Sequence, residues 1–166
     1  MNSEAIPTPF CAYKSRVEKD WLDYNGHMNV AYYTRAFDEA TDLWWTYLGL
    51  GPEYVKAEGR SVFAVEAHVV YKRELQLGAP LHVTTRLLGF DEKRMHVFLE
   101  LHHSEKNYLS ATEELMVVHV DMKKRAAVPF PDAVLGRLEA ALAAHSQLPM
   151  PEQVGRQIAV KPRRQG

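Results

Sequence analysis

The sequence predicts an α+β fold in which one long helix packs against a single antiparallel sheet. Three observations point there. A stretch starting at Val30 places apolar residues three and four positions apart; the chain from residue 62 to 122 alternates apolar and polar side chains; and its alternating runs are joined by short polar turns. The chain has 166 residues, of which 46% are hydrophobic and 25% charged, enough for one sizeable core.

Taken in order, residues 1–9 hold two prolines and little pattern, and are expected as a loose lead-in. Residues 10–17 are short, aromatic and β-branched, and read as a first strand. Val30, Tyr33, Phe37, Ala40, Trp44 and Leu48 then form the stripe of an amphipathic helix of about five turns. Asn29 stands where an N-cap belongs, while Gly49 and Pro52 supply the stop. Residues 62–73 alternate, with Phe63, Val65, Val69 and Tyr71 on one side and Glu66, His68 and Lys72 on the other. Gly78-Ala79-Pro80 breaks that run, and Leu81, Val83, Thr85 and Leu87 begin another. Asp91-Glu92-Lys93 reads as a turn into Met95, Val97, Leu99 and Leu101. Glu105-Lys106-Asn107 turns again into a long strand from residue 108 to 122, with Met116, Val118 and Val120 on one side. Leu135, Leu138 and Leu142 suggest a short closing helix. The domain is therefore expected over residues 10–148. A tail over 149–166, ending in Lys161-Pro162-Arg163-Arg164, should be solvated or lightly docked.

Composition excludes several classes of function. A formal charge of −1 offers no bulk electrostatic reason to bind nucleic acid or an anionic membrane, and neither is expected as a partner. Cys11 is the only cysteine, so no internal disulfide can form and a reducing, cytoplasmic setting is expected. The first nine residues lack the basic and apolar regions of a signal peptide. No apolar run approaches the roughly 18 residues that span a bilayer. Nor do His, Cys and carboxylate residues recur at metal-ligand spacing, so neither a metal nor another cofactor is expected.

Chemistry concentrates in Asp23-Tyr24-Asn25-Gly26-His27-Met28-Asn29, directly before the helix. The first amides of a helix are unpaired and carry a positive field. A carbonyl placed there finds donors for an oxyanion that develops on attack. Asp23 can attack that carbonyl or activate a water, and Asn25 or His27 can orient the group or carry a proton. Gly26 lets the backbone turn tightly.

This segment and the order of elements resemble the hotdog-fold thioesterases, particularly the 4-hydroxybenzoyl-CoA thioesterase-like group. That group has an Asp followed three residues later by a Gly, matched by Asp23 and Gly26. Plant acyl-carrier-protein thioesterases carry Asp-x-Asn-x-His-x-Asn here, matched by Asp23, Asn25, His27 and Asn29. The likeness covers residues 10–145. It implies a hotdog fold, one long helix wrapped by a five-stranded antiparallel sheet that dimerises edge to edge, and cleavage of an acyl-CoA. It also implies Asp23 as nucleophile or general base, Asn25 and His27 as catalytic partners, and helix amides as oxyanion hole. Many relatives have a second acid two residues before the catalytic Asp, where this chain has Trp21; a paired-carboxylate role is thereby in doubt.

Residues 23–29, Val65-Glu66-Ala67-His68, residues 91–98 and the strand at 115–121 further resemble betainyl-CoA thioesterases. That likeness implies betainyl-CoA as substrate and glycine betaine and CoA as products. A trimethylammonium head prefers aromatic faces or carboxylates. Trp21, Tyr24, Tyr32, Trp44, Trp45 and Tyr47 crowd the loop and helix, with Asp38, Glu39 and Asp42 on the same helix. Tyr24, Asn29, Trp45 and Glu66 are the candidate substrate-binding residues; Glu66 would act across the interface of a homodimer or a dimer of dimers. An exposed sheet edge gives a physical reason for such pairing. Glu114 stands out because it shares parity with Met116 and Val118, the expected apolar side. Lys72, Arg73, Lys93 and Arg94 are candidates for the CoA phosphates. Other readings are a thioesterase for another short or aromatic acyl-CoA, or a non-catalytic acyl-CoA-binding module.

Overall fold

The computed structural model describes residues 5–160. Its elements are β1 (Phe10–Arg16), α1 (Val30–Leu48), α2 (Pro52–Glu58), β2 (Arg60–Tyr71), β3 (Pro80–Phe90), β4 (Arg94–His103), β5 (Tyr108–Asp121), β6 (Ala126–Ala127) and α3 (Asp132–His145). The strands form one antiparallel sheet in the order β1-β3-β4-β5-β2, and the two-residue β6 pairs with β5 beyond the end of β4. The sheet curls around α1, which is the hotdog arrangement.

Helix α1 forms because Asn29 ends the preceding loop in an extended conformation and accepts the Ala31 amide on its side chain at 2.9 Å. It stops at Gly49, whose φ of 82° is the left-handed cap that glycine adopts without strain. The stripe read from the sequence is its buried face: Tyr33, Phe37, Ala40, Trp44 and Leu48 all lie in the core, and only Val30 is exposed. Opposite them stand Leu81, Val83 and Leu87 of β3, Met95, Val97, Leu99 and Leu101 of β4, and Ala111, Leu115 and Val117 of β5.

Two face assignments differ from expectation. A bulge between Ala64 and Glu66 shifts the register of β2 against β5. Phe63 therefore pairs with Val118, while Val69 and Tyr71 pair with Glu113 and Ala111, on the opposite, helix-facing side. The simple alternation breaks at that bulge. In β5 the core side is the odd-numbered one, so Glu113 faces α1 and Glu114 faces outward. Both parities of this strand are apolar because both faces are covered, and parity alone cannot choose between them.

The outer cover comes from the segment after α3. Phe98, on the outer face of β4, is 1% exposed. Its cross-strand neighbours are Arg86 and Glu114. Arg86 donates to the Pro149 carbonyl, and Glu114 accepts the Gly155 amide at 2.8 Å, so the chain crosses above Phe98 between those two points. The basic run Lys161-Pro162-Arg163-Arg164 lies outside the described residues.

Next to Arg86 in β3, His145 of α3 joins distant parts of the chain. Its Nδ1 accepts the Leu87 amide at 2.9 Å, and its Nε2 lies 3.0 Å from the Pro7 carbonyl. An amide can only donate, so Nδ1 is bare and the proton resides on Nε2. The ring also packs on Trp44, with centroids 5.7 Å apart.

Edge strand β2 pairs on one side only and none of its residues is buried; Phe63, Val65 and Tyr71 are among the exposed large hydrophobics. Among the described residues no helix is long and apolar enough to cross a membrane.

Candidate active site

Residues 22–28 form a small hairpin laid against the start of α1. Leu22 and Met28 make an antiparallel bridge, and Asp23 and His27 close the turn through the bond from the Asp23 amide to the His27 carbonyl at 3.1 Å. Gly26 donates to the Asp23 carbonyl at 3.0 Å with φ of 81°, a conformation that disfavours a side chain there. The Asn25 amide donates to Asp23 Oδ1 at 2.8 Å, which fixes the carboxylate on its own turn and leaves Oδ2 available. Among the described residues Asp23 has no ion-pair partner.

The hairpin is anchored on two sides. His27 bridges to Gln76, Met28 donates to the Leu75 carbonyl at 2.8 Å, and Asn29 donates to the Trp21 carbonyl at 2.9 Å. Trp21, at the place of a second acid in many relatives, is buried and stacks on Tyr32 with centroids 5.4 Å apart. Arg35 lies over its ring at 5.9 Å. Trp21 thus fastens the loop to α1.

The helix start supplies a donor. Asn29 takes the Ala31 amide on its side chain and the Tyr32 amide on its carbonyl. Among the described residues the Val30 amide has no acceptor, and Val30 itself is exposed. A main-chain donor of this kind is invisible to a reading by side-chain type; its signal in the sequence is only the position after a capping Asn.

The candidate residues do not all meet at one point. Asp23, Asn25, His27 and Asn29 share the hairpin, while Tyr24 at its tip is 97% exposed. Trp45 is buried and lines a cleft of about 460 Å³ with Asp38, Asp42, Val55 and Val62, beside the far half of α1. Glu66 lies on the outer face, where it lines a hollow with His68, His96 and Glu114. There His96 and Glu114 are 2.8 Å apart. Trp44 and Tyr47 stack on each other in a group with Phe10, so the aromatics do not close into one cage.

Two carboxylates, Asp38 and Asp42, and the cation Lys56 line the cleft beside α1. Burial, then Asp38 and Glu39, raises Asp42 above the ordinary range. Burial, then Asp38, pushes Glu113 up to about 7. Glu39 moves the other way because Arg35 Nε donates to it at 2.7 Å. Among the described residues no group of three or more His, Cys, Asp or Glu could hold a metal ion.

A polar hollow of about 300 Å³ adjoins the hairpin through Gln76; its cations are Arg16, Arg73 and Lys106. Arg73 lies 4.0 Å over the Tyr108 ring. Elsewhere, Arg94 pairs with Asp91 at 2.6 Å and Lys93 with Glu92 at 3.3 Å.

Known proteins share this arrangement. A model described as the thioesterase-like superfamily matches residues 17–138. A betainyl-CoA thioesterase of Pseudomonas aeruginosa is 39% identical over 150 residues, covering 90% of this chain and 94% of its own. An L-carnitine dehydrogenase/betainyl-CoA thioesterase of Rhizobium meliloti is 35% identical over 92% of this chain, which spans 31% of that longer protein. Among solved structures, SAV2348 from Staphylococcus aureus, in complex with CoA, has a TM-score of 0.86 and 27% identity, covering 92% of this chain and 97% of that one. A family match over most of the chain, and a relative similar from end to end, establish that this chain belongs to the thioesterase-like superfamily and is a hotdog-fold thioester hydrolase.

Proposed function

We propose that the thioester cleaved is betainyl-CoA, giving glycine betaine and CoA, with Asp23 as nucleophile or general base. The observation that carries the catalytic assignment is the hairpin that fixes the Asp23 carboxylate on the turn directly before α1, whose Val30 amide has no acceptor among the described residues. The substrate rests on similarity to the Pseudomonas aeruginosa enzyme and on the carboxylates along α1.

In this reading the thioester carbonyl lies on the Val30 N–H, in the positive field of the helix start. If Asp23 activates water, it takes one proton as the oxygen attacks the carbonyl carbon. The oxyanion sits on the Val30 amide until the C–S bond breaks and CoA leaves as thiolate, to be protonated. If Asp23 attacks directly, an acyl-carboxylate anhydride forms, CoA leaves, and water then hydrolyses the anhydride. Asn25 and His27 flank the carboxylate and orient water or move its proton, while Asn29 keeps the helix start in place. The cations Arg16, Arg73 and Lys106 in the neighbouring hollow meet CoA phosphates. Pairing of β2 with β2 of a second copy covers the exposed edge and closes the groove beside α1, giving a homodimer.

The test is release of free thiol from a panel of acyl-CoAs, with wild type beside Asp23→Asn. Betainyl-CoA should be the best substrate, and the variant should lose about 100-fold or more in kcat. Equal rates with acetyl-CoA and butyryl-CoA would remove the substrate assignment. A fully active Asp23→Asn would remove the catalytic one.

A further inference from the structure

The polar hollow beside the hairpin gathers cations from three separate parts of the chain. Arg16 ends β1, Arg73 follows β2, and Lys106 stands in the turn between β4 and β5. Among the described residues none of the three forms an ion pair, although Glu74 and Glu105 line the same hollow. Two of them are positioned by other contacts. The Arg16 guanidinium donates to the Gly78 carbonyl. The Arg73 guanidinium lies 4.0 Å over the Tyr108 ring. Ser110 fixes the Arg73 main chain, accepting its amide at 3.1 Å and donating its hydroxyl to the Arg73 carbonyl at 2.6 Å. An arginine held over an aromatic face keeps its N–H donors available for an anion.

His103 adds a directed donor. It lines the hollow and is only 4% exposed. The Glu105 and Lys106 amides both donate to its Nδ1, each at 3.3 Å. An amide can only donate, so Nδ1 is bare and the proton resides on Nε2. The hydrogen-bonding group that this ring can offer the hollow is therefore an N–H, and among the described residues it has no acceptor. A withdrawn donor without an acceptor is a cost that an anion in the hollow removes.

Three positive charges and a neutral N–H around one hollow suit an anion with several terminal oxygens and more than one charge. A phosphate monoester carries about −1.5 to −2 at pH 7 on three such oxygens. A carboxylate or a phosphate diester carries a single charge on two. CoA has one phosphate monoester, at the 3′ position of its ribose, and a long flexible pantetheine arm joins that nucleotide to the thioester. The loop after β2 touches both ends of the path. The Leu75 carbonyl accepts the Met28 amide of the hairpin at 2.8 Å, and Gln76, which lines the hollow, bridges to His27.

We propose that the hollow seats the 3′-phosphate of the CoA nucleotide, with Arg16, Arg73 and Lys106 as countercharges and His103 Nε2–H as the orienting donor. The assignment rests on the reading of the chain as an acyl-CoA hydrolase. It adds a basis for specificity: thioesters of CoA are selected over those of carrier proteins, whose phosphopantetheine is a diester with no terminal phosphate.

Calorimetric titration of the full chain with CoA and with dephospho-CoA, which lacks only the 3′-phosphate, tests this without dependence on the acyl group. Wild type should bind CoA about tenfold tighter or more. Arg73→Gln, Lys106→Gln and His103→Phe should each lower that ratio by about threefold or more. Adenosine 3′,5′-bisphosphate should compete with CoA, and 5′-AMP much less well. If wild type binds CoA and dephospho-CoA alike, the hollow seats no 3′-phosphate and the thioesterase reading survives. If it prefers CoA and the variants keep the whole preference, that phosphate sits elsewhere. Inorganic phosphate that binds wild type saturated with CoA, but not Arg73→Gln, would assign the hollow to a separate anion and overturn the proposal. If neither form of CoA binds, the proposal falls together with the acyl-CoA reading. Arg73 and Lys106 are exposed, so their variants stay folded even if a change at buried His103 is not tolerated.

Discussion

Replacing Glu113 by Gln keeps the shape of the side chain and removes its charge, and the effect on stability should depend on pH in a defined direction. Burial, then Asp38, raises this carboxyl from 4.5 to about 7 in the folded chain. Below about 4.5 it is protonated in both folded and unfolded chains and contributes no pH dependence. Between 4.5 and about 7 the folded chain keeps a proton that the unfolded chain has released, so stability falls as pH rises. Above about 7 both are ionised and the penalty is constant, at about 3 kcal/mol for a gap of this size. Glu113→Gln escapes that penalty. Its stability relative to wild type should increase by about 2 kcal/mol between pH ~5.5 and pH ~8. Urea unfolding at those two pH values, in the absence of substrate, measures the difference. A stability difference of the same size at both pH values would refute the argument, since it would mean that Glu113 titrates alike in folded and unfolded chains.

Two further outcomes are expected. Asn29→Ala removes the cap on the Ala31 amide; it should cost about 1 kcal/mol in urea unfolding and lower kcat through displacement of the Val30 amide. Val65→Lys places a charge on the exposed edge strand β2, beside its bulge; on the proposed pairing of β2 with a second copy, light scattering should show the dimer weakened toward monomer, because a charge would be buried in that seam.

Much of the fold was legible because local and global signals agree. The α1 stripe coincides with a capping Asn29 and a terminating Gly49, and the strand turns fall at polar triplets. The misreadings have specific causes. Helix α2 has no buried residue, so no apolar periodicity announces it. The bulge between Ala64 and Glu66 reverses the faces of β2 halfway along, which a period of two cannot express. Glu113 was passed over in favour of Glu114 because the outer face of β5 is covered by the chain near Gly155, a contact made over 41 positions of sequence. In the site, the hairpin from Asp23 to Asn29 was legible as a motif of residue types. That the first amides of α1 could receive a carbonyl followed from the helix start; that Val30 is the one left without an acceptor required the cap bonds of Asn29 to Ala31 and Tyr32. Nor does spacing reveal that Tyr24 turns to solvent, or that Glu66 lies on the far face from α1.

His145 has a consequence for the way the chain responds to acid. Both ring nitrogens are engaged in the neutral form, with Nδ1 accepting from Leu87 and Nε2 donating to Pro7. A second proton would turn Nδ1 from acceptor into donor, opposite an amide that can only donate. Burial already holds this histidine below its ordinary value of 6.5. The stability it contributes is whole above 6.5 and is lost as pH falls below that value. One imidazole therefore works as a proton-sensitive latch, and its opening frees the end of α3, the edge of β3 and the lead-in at Pro7 together. Acid should loosen these three segments, while the hairpin at Asp23 is still closed by bonds that involve no histidine ring.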